Sequence, residues 1–247
     1  MNLQQFFDQN KKIAVAFSGG VDSAYLLYAA KNAGCDVTAY YAKSEFQPRF
    51  EYDDALRLAA SLDVKLVTIE LSAFADKRIT ANDSSRCYYC KKLMLGEIIR
   101  SANADGYDII VDGTNASDCE DERPGMKAGA ELGIRSPLAM ANLSKDEIRK
   151  LSKEAGLFTW NKPSYACLAT RVRTGDPIVM EDLQITEALE EEIKKIGFVD
   201  FRVRMRKEDG KRNAFFEIRD RGIDSNKVQG MIQQAVNVID QYYSEDE

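Results

Sequence analysis

The sequence predicts an α/β protein, with a parallel sheet that carries helices on both faces and a small α+β domain at the C-terminal end. Two observations lead to this prediction. Short continuous apolar runs, typical of strands buried on both faces, alternate with segments of helical periodicity through most of the chain. Beyond residue 197, two runs instead alternate apolar and polar residues, as in a hairpin with one buried face.

The N-terminal part follows a βαβαβ order. Apolar runs at 13–17, 37–41 and 64–69 predict strands, and the segments 23–33 and 48–62 predict the helices between them. Because crossovers between parallel strands are right-handed, helices are expected on both faces of this sheet. The carboxyl ends of the strands then share one edge, where α/β proteins bind nucleotides.

The middle of the chain continues the pattern after a polar segment. Residues 72–86 predict a loop, and a helix then runs to about Ala104. A buried-type strand follows at 108–111, and a capping box of Ser144 and Glu147 begins another helix. These elements close the predicted sheet.

The chain is predicted to divide into a nucleotide-binding domain over residues 1–165 and a small α+β domain over residues 166–247. The second domain is expected to contain an acidic helix at 181–196 and a hairpin of strands at 198–205 and 213–219. A final helix begins after its N-cap, an aspartate at position 224.

The composition excludes several classes of function. Histidine is absent, which excludes Ser-His-Asp and Cys-His catalysis and histidine-based metal sites. The net charge of −6 gives no overall attraction to nucleic acid or anionic membranes. No apolar run is long enough to span a membrane and no signal-peptide pattern begins the sequence, so we expect a cytoplasmic protein. In that reducing compartment the five cysteines predict no disulfide framework.

A glycine turn between the first strand and the first helix is the leading candidate binding site. It consists of Phe17, Ser18, Gly19, Gly20, Val21, Asp22 and Ser23. The glycines let the backbone approach a ligand, and the serines and first-turn amides can donate to phosphate oxygens. A carboxylate would repel phosphate, so Asp22 is expected to hold a magnesium ion or a backbone amide. The alternative is a tight turn with a serine N-cap.

Two further candidates lie at the same predicted edge. A second glycine turn follows the strand at 108–111, where Gly113 and Thr114 would hold ribose or a metal; a plain Asx turn is the alternative. Lys43 follows the second strand and would lie near adenine or phosphate, or else is a solvated lysine.

Cysteines and arginines supply the other candidates. Cys87 and Cys90 share one face at the start of a helix. They would be two ligands of a metal or iron–sulfur cluster, or else a redox dithiol or two packing residues. Arg202 and Arg204 share one strand face, which would bind phosphate or carboxylate. The alternative is that their charges keep a solvated edge strand from pairing with another chain. Arg123 is an anion-binding candidate or a surface arginine.

Several motifs together resemble one known family. They are SGGVDS, RCYYCK, GTN with a following aspartate, RPG, RSPL and PSYACLATR. The first resembles the phosphate loop of PP-loop ATP pyrophosphatases, and the set resembles the LarE family of ATP-dependent sulfur transferases, which help to build the nickel-pincer nucleotide cofactor. The resemblance implies a PP-loop fold. It also implies that ATP adenylates a carboxylate of a pyridinium dicarboxylate mononucleotide, with release of pyrophosphate, before sulfur displaces AMP.

The resemblance also implies roles for individual residues. ATP, with Mg²⁺, would be bound by the loop 17–23, by Lys43, and by Gly113 and Thr114. Candidates for binding substrate or product phosphate are Arg123, Arg171, Arg202, Arg204 and Glu217.

Asp22 and Cys167 are the catalytic candidates. In part of the family the cysteine is sacrificed, so that its sulfur leaves with the product and dehydroalanine remains. Other members hold a 4Fe-4S cluster on three cysteines, and Cys87, Cys90 and Cys167 would form that set here, with one iron open to an extra sulfide. The CxxC pair favours the cluster. An interdomain linker that contains a buried cysteine is the alternative for the segment around Cys167.

Other functions stay open. A PP-loop tRNA thiolase shares the loop and the three-cysteine pattern, but the acidic net charge argues against nucleic acid as a partner. A non-catalytic regulator would bind ATP without releasing pyrophosphate, and an ammonia-using ligase fits the cysteine content poorly. We expect a small-molecule nucleotide substrate, sulfide or another sulfur donor, and a homo-oligomer.

Overall fold

A computed structural model describes residues 1–118, 124–208, 211–219 and 224–244. The chain divides into two compact units. The first unit comprises Met1–Ala73 and Ser85–Tyr165, and the second comprises Phe74–Ser84 and Ala166–Glu247.

The described residues form parallel and antiparallel strands and helices of varied length. In chain order the strands are β1 (Lys12–Ala16), β2 (Asp36–Lys43), β3 (Lys65–Glu70), β4 (Ile110–Asp112), β5 (Phe201–Glu208) and β6 (Lys211–Ile218). The helices are α1 (Leu3–Gln9), α2 (Val21–Asn32), α3 (Arg49–Ser61), α4 (Lys77–Thr80), α5 (Arg86–Ala104), α6 (Pro124–Glu131), α7 (Pro137–Met140), α8 (Lys145–Glu154), α9 (Met180–Lys195) and α10 (Ser225–Ser244).

The first unit is built on a four-stranded parallel sheet with the order β3-β2-β1-β4. Alternate residues of β1 face opposite sides of the sheet. Ile13 and Val15 pack into an apolar cluster with residues of α2 and α3, whereas Ala14 packs with Leu95 and Ile98 of α5. Helices therefore cover both faces, which confirms the predicted α/β class.

The second unit contains the antiparallel pair β5 and β6. Helix α9 packs against β5, and α10 packs against α9. The segment 74–84 belongs to this unit because buried Asn82 holds it there: its amide donates to the carbonyl oxygens of Arg173 and Asp176 at 2.9 and 2.8 Å. Leu168–Arg171 form a short 3₁₀ turn. In the part of the chain that the structure describes, no helix has the length and apolar character needed to cross a membrane.

Candidate active site

The carboxyl ends of β1 and β4 form the switch point of the first sheet. β2 pairs with one side of β1 and β4 with the other, where Ala16 lies opposite Asp112. Chain connections leave these two strands in different directions, which opens a crevice between them. The loops that follow the two strands are the two glycine turns identified from the sequence.

The loop between β1 and α2 is braced by its own hydroxyl groups. The Oγ atoms of Ser18 and Ser23 lie 3.1 Å apart, and Ser23 Oγ donates to the Gly20 carbonyl at 3.2 Å. Gly19 has φ +71°, and a β carbon there would lie 3.1 Å from Cβ of Ala55. No side chain caps the start of α2, so its first-turn amides and dipole favour a bound anion.

The apolar members of this loop have a different place. Phe17 and Val21 are buried in the core of the first unit. Their side chains anchor the two ends of the turn, so a contribution to ATP binding would come from their backbone atoms.

The two glycine turns meet at Gly113. A β carbon at this position would lie 2.7 Å from the backbone nitrogen of Ser23 and 3.0 Å from its Cα. Any side chain would therefore displace the first turn of α2. The glycine allows the second turn to lie directly against the phosphate-binding candidate.

Asp22 is paired with two side chains. Lys145, the first residue of α8, donates its ammonium to one carboxylate oxygen, and Asn115 donates its side-chain amide to the other at 3.4 Å. Asn115 is buried and follows the second glycine turn. The carboxylate thus ties α2 to α8 and to the loop after β4, a geometry that the magnesium or backbone-amide expectation did not include.

Asp112, at the end of β4, organises the second turn. Its carboxylate accepts hydrogen bonds from the backbone nitrogen of Thr114 at 3.2 Å, the Thr114 hydroxyl at 2.9 Å and the Ser136 hydroxyl at 2.7 Å. Lys91 of α5 lies 3.9 Å from the same carboxylate. The Asx turn proposed as the plain alternative is therefore present, and it fixes Thr114 at the crevice.

Lys162 links the first glycine loop to α3. Its ammonium lies 3.2 Å from a Glu51 oxygen, 2.9 Å from an Asp54 oxygen and 3.5 Å from the Gly19 carbonyl oxygen. Its side chain is only 14% exposed. Arg149 of α8 holds the neighbouring backbone by donating to the carbonyl oxygens of residues 160 and 162.

Lys43 lies at the carboxyl end of β2, as expected. Its ammonium is 3.4 Å from a Glu70 oxygen and 4.9 Å from the centre of the Tyr52 ring. The position at the sheet edge agrees with the nucleotide-site prediction, and the Glu70 pair agrees with the solvated alternative.

Cys87 and Cys90 lie in the first turns of α5, in the first unit. Arg86 donates to the Cys87 sulfur at 3.6 Å, and the Cys90 sulfur lies 3.8 Å from the Met94 sulfur. Cys167 belongs to the second unit. Within the described ranges, no three His, Cys, Asp or Glu side chains form a group that could hold a metal ion.

Cys167 is half-buried and directly precedes the 3₁₀ turn of the second unit. Arg171, at the end of that turn, is 1% exposed and forms a two-point ion pair with Glu190 of α9, at 2.7 and 3.1 Å. The sequence predicted Arg171 as an anion-binding residue. The structure gives its guanidinium a buried carboxylate partner within the same unit.

Arg204 and Glu217 form a second ion pair in the second unit. Arg204 donates to one Glu217 oxygen from two nitrogens, at 2.9 and 2.8 Å, and Arg219 donates to the other oxygen. These bonds, with that of Arg204 the larger, lower the pKa of Glu217 to about 2. Arg202 lies opposite Glu217 in the strand register. The phosphate-binding role predicted for these side chains stays a prediction, and Arg123, another candidate for that role, lies outside the described residues.

Comparison with known proteins places this arrangement in a family. Residues 11–81 match the family model described as the tRNA methyl transferase HUP domain. The pyridinium-3,5-bisthiocarboxylic acid mononucleotide synthase of Lactiplantibacillus plantarum is 34% identical over 78% of this chain and 71% of its own length. This chain belongs to the LarE family. Membership confirms the resemblance drawn from the motifs and the enzyme class, an ATP-dependent sulfurtransferase.

Other relatives of this LarE-family chain differ in what is known of them. Uncharacterized proteins of Synechocystis sp. and Methanocaldococcus jannaschii are 36% and 32% identical, over 82% and 89% of this chain and 76% and 82% of their own lengths. The tRNA-specific 2-thiouridylase MnmA of Pseudothermotoga lettingae is 29% identical over 61% of this chain and 54% of its own length. The tRNA thiolases are thus the more distant relatives.

Several residues of the candidate site were not predicted from the sequence. Lys145 is the clearest case, because a lysine in the first turn of a helix is disfavoured by the helix dipole and needs a compensating partner. Asp22 is that partner. Lys162, Arg149 and Glu190 carried no comparable signal, since their partners are distant in sequence.

Proposed function

We propose that this protein uses ATP to activate a carboxylate of pyridinium-3,5-biscarboxylic acid mononucleotide and replaces one of its oxygens with sulfur, in nickel-pincer nucleotide synthesis. The observation that carries the proposal is the contact of the glycine loop with Gly113 at the switch point, with Lys145 on Asp22 beside it. The L. plantarum relative, named as the synthase of the bisthiocarboxylic product, supplies the substrate class.

In the first step a substrate carboxylate oxygen attacks the α-phosphorus of ATP, and pyrophosphate leaves. The first-turn amides of α2 and the hydroxyls of Ser18 and Ser23 would bind the leaving pyrophosphate. The Lys145 ammonium would add positive charge beside them. Mg²⁺ bound with ATP would neutralise phosphate charge, and it would bind Asp22 only by replacing Lys145 as the partner of that carboxylate.

In the second step a sulfur nucleophile attacks the acyl carbon of the adenylate, and AMP leaves. We propose Cys167 as that nucleophile. Its sulfur forms a thioester with the substrate. Cleavage of the Cβ–S bond, with loss of the Cα proton, then releases the thiocarboxylate and leaves dehydroalanine at position 167.

The 4Fe-4S cluster is the competing sulfur source. Cys87 and Cys90 have the spacing and thiol chemistry of two cluster ligands. Cys87 and Cys90 belong to the first unit and Cys167, the third ligand of the predicted set, belongs to the second. The proposal follows the direct route through Cys167 and derives no step through a cluster. Iron and sulfide analysis of anaerobically prepared protein decides this point: about four irons per chain would establish the cluster, and iron-free active protein would exclude it.

The reaction is tested by mass spectrometry of product and protein after incubation with ATP, Mg²⁺ and the dicarboxylate mononucleotide. The proposal predicts a thiocarboxylate product and the loss of the elements of hydrogen sulfide from Cys167. Unmodified tRNA serves as a parallel substrate, and thiolation of tRNA in place of the mononucleotide would identify a tRNA thiolase. ATP binding without any product would identify a regulator.

A further inference from the structure

The carbonyl oxygen of Cys167 accepts two hydrogen bonds from one residue. Thr170 donates its backbone nitrogen at 2.9 Å and its hydroxyl at 2.8 Å. The backbone bond is what any 3₁₀ turn makes. The hydroxyl bond is additional, and it aims a second donor at the carbonyl of the residue that carries the sulfur.

The Thr170 hydroxyl is itself held by a buried cation. Arg171 Nη1 donates to Thr170 Oγ1 at 3.0 Å and to the Ala166 carbonyl oxygen at 3.0 Å. The peptide groups on both sides of the Cys167 Cα are therefore fixed. Because Thr170 Oγ1 accepts from Arg171, its own hydrogen is directed to the Cys167 carbonyl.

The cation is in turn fixed by Glu190. Arg171 and Glu190 are 1% and 3% exposed, and Glu190 Oε1 also accepts from the backbone nitrogen of Val203 in β5 at 3.0 Å. A buried ion pair is costly unless its groups are fully hydrogen-bonded, and an apolar pair would serve stability equally well. Stability alone therefore does not explain why this buried ion pair is hydrogen-bonded, through the Thr170 hydroxyl, to the Cys167 carbonyl oxygen.

We propose that the chain from Glu190 through Arg171 to Thr170 forms an oxyanion site for the carbonyl of Cys167, which promotes release of its sulfur. The proposal rests on the proposed function, with Cys167 as the direct sulfur donor. Thr170 is the catalytic residue, since it touches the reacting residue, and Arg171 and Glu190 are positioning residues.

Such a site would promote the chemistry of sulfur release. Solvent base removes the Cα proton of the thioester-bearing Cys167, and the electron pair moves onto the carbonyl oxygen as an enolate. As the carbonyl re-forms, the Cα=Cβ bond of dehydroalanine forms, the Cβ–S bond breaks, and the electrons of that bond leave on the thiocarboxylate. No electrons are gained or lost overall. Hydrogen-bond donors fixed on the enolate oxygen lower the barrier to removing the Cα proton.

The test is a single turnover of the full chain with ATP, Mg²⁺ and pyridinium-3,5-biscarboxylic acid mononucleotide, in which each step is followed separately. Thr170→Val removes the hydroxyl at nearly constant volume, and Thr170→Ser restores it. We expect Thr170→Val to release pyrophosphate and form the thioester at the wild-type rate, whereas dehydroalanine forms about 100- to 1,000-fold more slowly. Thr170→Ser should form dehydroalanine at close to the wild-type rate.

Arg173→Gln is the matched control, because the exposed guanidinium of Arg173 pairs with Asp176. It should leave every step unchanged. The inference is overturned if Thr170→Val forms dehydroalanine at the wild-type rate, or if it slows all steps equally, as a folding defect would. If the wild type releases pyrophosphate but keeps Cys167 intact, the inference is overturned and adenylation stands. If the wild type releases no pyrophosphate, the proposed function itself is refuted.

Discussion

Gly113 lies so close to Ser23 that a β carbon at position 113 would stand 2.7 Å from the Ser23 backbone nitrogen. This contact joins the turn after β4 to the first turn of α2. It holds the two glycine turns against each other at the switch point of the sheet. The candidate site therefore depends on the absence of a single methyl group.

Gly113→Ala tests this contact. The added carbon must displace the backbone of α2, at a cost of about 1–3 kcal/mol, the usual range for overpacking. The free energy of unfolding should fall by that amount, and ATP-dependent pyrophosphate release should be lost. Urea denaturation and a pyrophosphate assay measure the two effects.

Gly96→Ala is the control for Gly113→Ala. Gly96 lies within α5, where an added β carbon meets nothing within 4 Å. Because alanine is the better helix former, this variant should gain about 0.5–1 kcal/mol and keep its activity. Wild-type activity in Gly113→Ala would show that the close contact is not needed.

Lys145→Met removes the cation that faces Asp22. The uncompensated carboxylate then lies where phosphate should bind, and a charged hydrogen bond is lost, so kcat/KM for ATP should fall about 10- to 100-fold. Lys150→Met removes an exposed lysine from the same helix and should have no effect. Equal activities of the two variants would remove Lys145 from the site.

Lys162→Met should destabilise the first unit. It leaves Glu51 and Asp54 side by side without their shared cation, at a cost of about 1–3 kcal/mol. Lys11→Met removes a lysine from an exposed pair with Asp8 and should cost less than about 1 kcal/mol. Thermal melting compares the two variants. A loss of stability in Lys162→Met no greater than that in Lys11→Met would show that Lys162 does not stabilise the first unit through Glu51 and Asp54.

Most of the first sheet follows from local sequence signals. The runs at 13–17, 37–41 and 64–69 became β1, β2 and β3 to within a few residues. The interior strands β1 and β2 are largely buried and therefore apolar, whereas β3 lies at the edge of the sheet and is half-buried. α1 was overlooked, although its capping box of Asn2 and Gln5 is a local signal.

The site itself was only partly predictable. The glycine turns are local in sequence, so the pattern shows them directly. The pairs of Asp22 with Lys145 and of Asn82 with Arg173 join positions far apart in the chain, and only the fold brings them together. For the same reason the loop predicted at 72–86 concealed α4 and the membership of its residues in the second unit.

Glu217 predicts a specific acid response. Its pKa is lowered from 4.5 to about 2 by hydrogen bonds from Arg204 and Arg219. Since the carboxylate is more acidic when folded, its stabilisation is present above pH 4.5 and is lost as the pH falls toward 2. The stability difference between wild type and Glu217→Gln should shrink over that interval in urea titrations.

Glu191→Gln is the control for this pH dependence, since Glu191 is exposed on α9. The difference in free energy of unfolding between Glu191→Gln and the wild type should stay constant over the same pH interval. A constant difference between wild type and Glu217→Gln would contradict the strong pairing of Glu217.

The nucleotide products of the reaction test the central claim most directly. Wild-type protein is incubated with Mg²⁺ and ATP labelled at the α-phosphorus, with and without pyridinium-3,5-biscarboxylic acid mononucleotide. Adenylation of the substrate at the switch point between β1 and β4 predicts AMP and pyrophosphate in equal amounts. Both should form only when the dicarboxylate is present. Formation of ADP and phosphate, or no cleavage of ATP with that substrate, would contradict the assignment.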